Sequence, residues 1–226
     1  MSTSTKSKNL GLILAVASAG LPWASGYRQQ FLPLAQPGTT AGLGQYMLEP
    51  LLESAGLWIG PRYQLEDDPR FSQVIPYVVA KVGGKVLAYT RGAEGGEARL
   101  HGMVSVGVGG HVDFEGVVTK PARFEIDAEQ TLYYTAIREL DEEIGSPTNR
   151  NQWQPVLKGL LATRGTPVGD VHVGVVYTIT LDELPPRVEN TMVDVQAMSV
   201  DELSALNEQG RLEPWTKALL PFLASF

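Results

Sequence analysis

Apolar residues recur every four positions at Leu132, Ala136, Leu140 and Ile144, with Tyr133 and Ile137 beside them. This is the stripe of an amphipathic helix with one buried face. Asp127, followed three residues later by Gln130, is a capping-box pattern that starts the helix near residue 128; Gly145 supplies a left-handed stop, and Pro147 prevents continuation. Elsewhere the pattern is strand-like. Residues 75–80 and 85–90 flank Gly83-Gly84 as a hairpin, 99–108 lead through a strand into a glycine pair, and 157–163 and 171–179 read as paired strands joined by the loop 164–170. Two closing helices are expected over 201–209 and 213–226, with Trp215, Leu219 and Leu220 packed inward.

The N-terminal part differs in texture. Residues 1–9 are rich in Ser, Thr and Lys and read as disordered, 10–17 as a strand, and 21–69 as a Gly-, Pro- and aromatic-rich stretch with a helix over 46–55 that Gly56 ends. The expected division is an extension over 1–70 and a principal domain over 71–226. Lys6 and Lys8 before the apolar run, with Ala17-Ser18-Ala19 after it, also outline a secretory signal peptide. A buried strand accounts for the run equally well, and the run is too short to span a membrane.

Composition narrows the function. A chain of 226 residues, 43% hydrophobic, can bury a full core, and a net charge of −7 argues against a broad electrostatic grip on nucleic acid. With no cysteine there is neither a disulfide nor a thiolate nucleophile, which suits a reducing cytoplasm. The three histidines, His101, His111 and His172, lack the spacing of a zinc pair, and no Gly-x-Ser-x-Gly elbow occurs. Tyr63, Phe71, Tyr77 and Trp153 could stack a base, or could equally be core.

The densest chemistry is the run Arg138-Glu139-Leu140-Asp141-Glu142-Glu143-Ile144-Gly145. At helical spacing Glu139, Glu142 and Glu143 crowd one face, a cost that a bound divalent cation relieves. The alternative is a solvated acidic face.

Together with Gly107-Val108-Gly109-Gly110-His111-Val112-Asp113 upstream, this run resembles the signature of the Nudix hydrolases, Gly-x5-Glu-x7-Arg-Glu-U-x-Glu-Glu-x-Gly-U, where U is aliphatic. Two features depart from it. The interval from Gly110 to Arg138 is fourteen residues longer than the family spacing, and Gln130 stands where the first glutamate falls, with Glu125 or Glu129 as replacements if the loop folds back. Ser146 and Pro147 follow the last glycine. A looser resemblance, over residues 75–79, 100–102 and 171–176, is to a bacterial and phage Nudix subgroup described as predicted phosphoesterases.

The resemblance implies an α/β fold, an α/β/α sandwich with a mixed sheet behind an N-terminal extension. It implies Mg²⁺ or Mn²⁺ as cofactor, held by Glu142 and Glu143, with Glu139 as a further ligand or the base and the Gly110 carbonyl as an extra ligand. Arg138 then orients Glu142 or Glu143, or is a structural ion pair; Asp170, Asp182, Glu183 and Glu189 are reserve bases. Arg99, Arg164 and His111 are candidate substrate contacts. The implied reaction is cleavage of the pyrophosphate bond in a nucleoside diphosphate linked to another moiety, in the cytoplasm, with a capped RNA end left open as substrate; separately, the apolar surface of the N-terminal extension makes a homodimer a candidate assembly. Two alternatives are a catalytically weak nucleotide sensor on the same fold and an isomerase of the isopentenyl-diphosphate type, which normally needs the cysteine this chain lacks.

Overall fold

Glycine and proline punctuate the fold. The computed structural model describes residues 11–34, 48–94, 98–121, 125–146, 153–186 and 188–226. Its strands are β1 (Leu12–Ala17), β2 (Phe31–Pro33), β3 (Leu57–Pro61), β4 (Phe71–Val82), β5 (Lys85–Arg91), β6 (Val104–Ser105), β7 (Gly107–Val108), β8 (Val156–Leu161), β9 (His172–Leu181) and β10 (Met192–Met198). Its α-helices are α1 (Leu48–Ala55), α2 (Arg62–Leu65), α3 (Ala128–Ile144), α4 (Pro167–Asp170), α5 (Val200–Glu208) and α6 (Pro214–Leu219). The expected α/β class, with sheet, helices and an N-terminal region, is what the chain forms. The Ser/Thr/Lys-rich 1–9 and Pro147 lie outside the described residues.

By internal contacts the chain divides into two units, 1–76 with 110–135 and 158–175, and 77–109 with 136–157 and 176–226. In the first, β1 is antiparallel to β3 along its length and to the start of β4 through Ala15–Gln73, Val16–Ser72 and Ala17–Phe71. The apolar run of the N-terminal stretch is therefore strand from Leu12 onward, and its Ile13, Leu14, Ala15 and Val16 are buried. β2, absent from the sequence reading, pairs with β8.

The lengthened loop also belongs to this unit. Thr119 bridges Ile126, the Lys120 amide donates to the Glu125 carbonyl at 2.8 Å, and the Asp127 amide donates to Val118 at 2.9 Å, so residues 118–120 pair with residues 125–127. The Lys120 ammonium then reaches Glu49 at 2.8 Å and Glu53 at 3.0 Å, two carboxylates one turn apart on α1.

In the second unit Gly83 and Gly84, at φ of 56° and 78°, make the two-residue turn between β4 and β5. Both φ values are positive, the conformation a tight hairpin of this twist demands. β5 pairs with β6 and β10, and β7 pairs with β4 at Val78–Val108 and Val79–Gly107. The strand expected over 99–108 is interrupted: a 3₁₀ turn occupies Ala98–Leu100, and only 104–105 and 107–108 are extended. Strand β10 was missed because a bulge between Val193 and Gln196, with Asp194 at φ 53°, breaks its alternation.

Helix α3 fits its pattern closely. Asp127 Oδ1 accepts from the Gln130 amide at 3.0 Å, and the Gln130 side chain returns to Asp127 Oδ2 at 2.9 Å. Leu132, Ala136, Leu140 and Ile144 are all buried, and Gly145, at φ 78°, ends the helix. The last predicted helix is shorter: α6 gives way to a 3₁₀ segment at Leu220–Ser225, where Pro221 removes an amide donor. Leu219 is buried there, while Trp215 and Leu220 are half-buried. Of the four aromatics weighed for base stacking, Tyr77 and Trp153 are core, Phe71 is half-buried against Trp58, and Tyr63 is exposed.

Candidate active site on the glutamate helix

The last two turns of α3 give three glutamates three different settings. Glu139 is buried at 8% exposure, Glu142 faces solvent, and Glu143 lies between. Arg138 bonds Glu139 at 2.7 Å and Glu142 at 3.2 Å, so its guanidinium links neighbouring carboxylates rather than projecting away. The solvated-face alternative describes Glu142 but not Glu139.

Glu143 is the perturbed group. Burial, then the nearby Glu139 charge, push its carboxyl up to about 8, with Glu189 adding to the rise; Arg91 and a hydrogen bond from the Gly109 amide act in the opposite sense. The Glu189 amide donates to the Glu143 carbonyl at 2.7 Å, which fixes the segment after β9 against the end of the helix. Among the described residues, no three carboxylate or imidazole groups converge closely enough to hold a metal ion as they stand. The donor chemistry nevertheless suits a hard divalent cation: Glu139 and Glu143 are crowded carboxylates, and burial followed by the Glu139 charge raises the proton affinity of Glu143.

The strand that leads into Gly109, β7, is held by a buried polar network that the sequence did not reveal. The carboxylate of Glu213, 2% exposed, accepts from Ser105 at 2.6 Å, Tyr77 at 2.8 Å and Arg91 at 2.8 Å. Burial opposes the Arg91 charge, but Glu213, with Tyr89 and Tyr77, holds that guanidinium protonated well above its ordinary range. Burial, with the Glu213 charge, likewise pushes the Tyr77 phenol far up. Gly107 is obligatory because a Cβ there would fall inside the Tyr77 ring. Nothing local marks Glu213 as special, since it reads as the residue before a proline-led helix.

The remaining candidates have other surroundings. In the first unit, His111 Nε2 lies 2.8 Å from Gln73 Oε1 and its ring meets His172 edge-to-face at 5.6 Å. Arg164 donates to the Asp170 carbonyl at 2.6 Å and to Ser72 Oγ at 3.0 Å, closing the loop around α4, and burial lowers its pKa. Gly110 is half-buried in this unit, and in the second unit Arg99 is exposed on the 3₁₀ turn before β6. Gln130 is engaged with Asp127 rather than with Arg138; Glu125 is exposed, and the proton affinity of Glu129 is raised by burial and by Glu49. A cavity of about 460 Å³ in the second unit is lined by Thr90, Val104, Asp194, Gln196, Leu206 and Arg211 among others, and none of the sequence-derived candidates lines it.

No protein-family model matches the chain. The crystal structure of Tm1382, described as a candidate Nudix hydrolase, superposes with a TM-score of 0.67 at 22% identity, covering 95% of this chain and 98% of that one. The fold is therefore the Nudix fold. Within that class, Protein YmaB of Bacillus subtilis (strain 168) is 33% identical over 169 residues, 72% of this chain and 76% of the relative. The chain belongs to the family of YmaB.

Proposed function

We propose that this protein is a metal-dependent hydrolase that cleaves the pyrophosphate bond of a nucleoside diphosphate linked to another moiety. The observation that carries this reading is the crowding of Glu139, Glu142 and Glu143 over the last two turns of one helix of a Nudix fold, where burial and the Glu139 charge push the Glu143 carboxyl up to about 8. Such a carboxylate is costly in an isolated fold and useful where a cation binds. Glu139, Glu142 and Glu143 would hold Mg²⁺ or Mn²⁺. When bound, the cation supplies charge neutralisation of the diphosphate and acidification of a water.

The chain's own residues have distinct parts in this reading. Arg138 orients Glu139 and Glu142 through its paired hydrogen bonds. Glu139, held by Arg138, is a further ligand or the carboxylate that takes the proton from the attacking water. Arg99, Arg164 and His111 remain proposed substrate contacts. No helix among the described residues is long and apolar enough to cross a membrane, in keeping with a small-molecule substrate taken from solution.

The test is release of phosphate or nucleotide from a panel of nucleoside diphosphate derivatives with Mg²⁺ or Mn²⁺, for the wild type and Glu143→Gln side by side. Turnover that needs metal and is lost in the variant supports the hydrolase. Binding of a panel nucleotide with no turnover would favour the second reading, a nucleotide sensor, which the engagement of Gln130 with Asp127 instead of Arg138 also motivates.

A further inference from the structure

The cavity of about 460 Å³ in the second unit lies over one face of the sheet. Along β5, alternation puts Val86, Ala88 and Thr90 on a common face, and β10 sets Met198, Gln196 and Val193 opposite them. Thr90 also pairs with Val104 of β6, whose amide donates to the Arg211 carbonyl at 2.8 Å and whose carbonyl accepts from the Glu213 amide at 3.1 Å. Val193, Thr90, Val104 and Leu212 are therefore neighbours in one row across the strands. Val104 and Met198 are buried and Leu206 of α5 is half-buried, which gives the cavity an apolar part.

Its polar lining is unused. Among the described residues, the side chains of Thr90, Asp194, Gln196 and Arg211 make no hydrogen bond or ion pair with the rest of the chain. Asp194 stands in the β10 bulge at φ 53°, and among the described residues it alone, glycines aside, has a positive φ. A bulge that holds a side chain in such a conformation is a common device for aiming it at a site.

The row of strands sets the separation of the two charges. Asp194 follows Val193 at one end and Arg211 precedes Leu212 at the other. Three inter-strand steps lie between them, roughly 14 Å between backbones at about 4.8 Å per step. Both line the cavity without pairing to each other, so it has an anion on one side and a cation on the other. Its volume is within the range of small-molecule sites, about 300–1,000 Å³.

This lining selects by charge. A phosphate or a lone carboxylate would meet Asp194, and a metal cation would meet Arg211. A neutral ligand would strip water from both charges and return nothing. A molecule with one ammonium and one carboxylate satisfies both through charge-assisted hydrogen bonds, and Thr90 and Gln196 supply neutral donors and acceptors beside them. An apolar body would cover Val104, Met198 and Leu206.

We propose that this cavity binds a free amino acid with an apolar side chain, its ammonium on Asp194 and its carboxylate on Arg211. The site shares no residue with the glutamate helix, so it stands or falls apart from the hydrolase reading.

The experiment titrates the full-length, ¹⁵N-labelled protein with L-leucine, L-methionine and L-phenylalanine, and with N-acetyl-L-leucine and L-leucinamide, each of which lacks one of the two charges. The expected result is a saturable amide shift at Thr90, Val104, residues 194–198 and Arg211 with at least one of the three amino acids at millimolar concentration. Each capped form should bind roughly tenfold or more weakly than L-leucine, and Asp194→Asn and Arg211→Met should weaken the amino acid to a similar degree. Asparagine accepts the left-handed backbone at 194, and both side chains are exposed, so neither substitution disturbs the core. Should a variant nevertheless lose its folded spectrum, the capped forms on the wild type decide the matter. Silence to all three amino acids, shifts confined to other residues, or equal binding of the capped and free forms overturns the proposal.

Discussion

Glu139 raises the proton affinity of Glu143 one helical turn further along α3, second only to burial among the causes that bring the Glu143 carboxyl from its ordinary 4.5 to about 8. A carboxyl whose folded pKa is raised contributes stability that is fully present below its ordinary range and lost as pH rises through about 8. The metal-free protein should therefore melt at progressively lower temperature as pH climbs from acid toward and past that value. Glu143→Gln should flatten this decline and exceed the wild type in stability at the alkaline end. Thermal melts at matched pH values, in chelator, read the effect; parallel curves for the two proteins would contradict it.

Catalysis should respond oppositely. Glu142→Gln and Glu143→Gln are expected to lower kcat by roughly two orders of magnitude or more with the fold retained, as loss of a metal carboxylate generally does. Glu142 is the sharper test, because it is exposed and its substitution disturbs no packing. Wild-type turnover in both variants, measured at saturating Mg²⁺, would remove the helix from the reaction.

A methyl group at position 107 should be badly tolerated. Gly107→Ala places its Cβ inside the Tyr77 ring, so either β7 leaves β4 or the ring leaves Glu213. Overpacking of this kind costs roughly 1–3 kcal/mol, and the loss of the Tyr77 hydrogen bond adds to it. Denaturant unfolding gives the magnitude, and Gly107→Ala combined with Tyr77→Leu should recover part of the loss.

Arg164 is expected to behave as a clamp. Its two donors close the segment that carries α4 against Ser72 and the Asp170 carbonyl. Arg164→Met should speed amide exchange across residues 165–171, and Arg164→Lys should restore little, because an ammonium cannot reproduce the guanidinium fork. If Arg164→Met instead raises KM alone with loop exchange unchanged, the residue is a phosphate contact.

The parts of this architecture that were legible in the sequence are those fixed locally. Periodicity, Asp127, Gln130 and Gly145 define α3, and Gly83-Gly84 defines the hairpin, because period and turn chemistry are properties of neighbouring residues. Pro76 did not break β4, which runs unbroken from Phe71 to Val82. What escaped was set at a distance. The strand before the glycines is interrupted by a 3₁₀ turn and by Gly102 at φ 78°, β10 was hidden by its bulge, and Glu213 acquires its role from partners more than a hundred residues earlier. The motif pointed to Glu139, Glu142 and Glu143 and set Arg138 beside Glu142 or Glu143; the guanidinium in fact bonds Glu142 and Glu139, and nothing in the motif showed that Glu139 would be the buried one.

The lengthened loop is fastened very differently from the glycine strand. Its paired segments meet α1 through the ammonium of Lys120, shared between Glu49 and Glu53 at a half-exposed position. Ions of solution compete at such a site, with a screening length of about 8 Å at physiological ionic strength, whereas the Glu213 cluster is closed to them. Rising salt should thus loosen these segments while leaving the glutamate helix in place, so that in a brine they become a tether and in dilute buffer a strut.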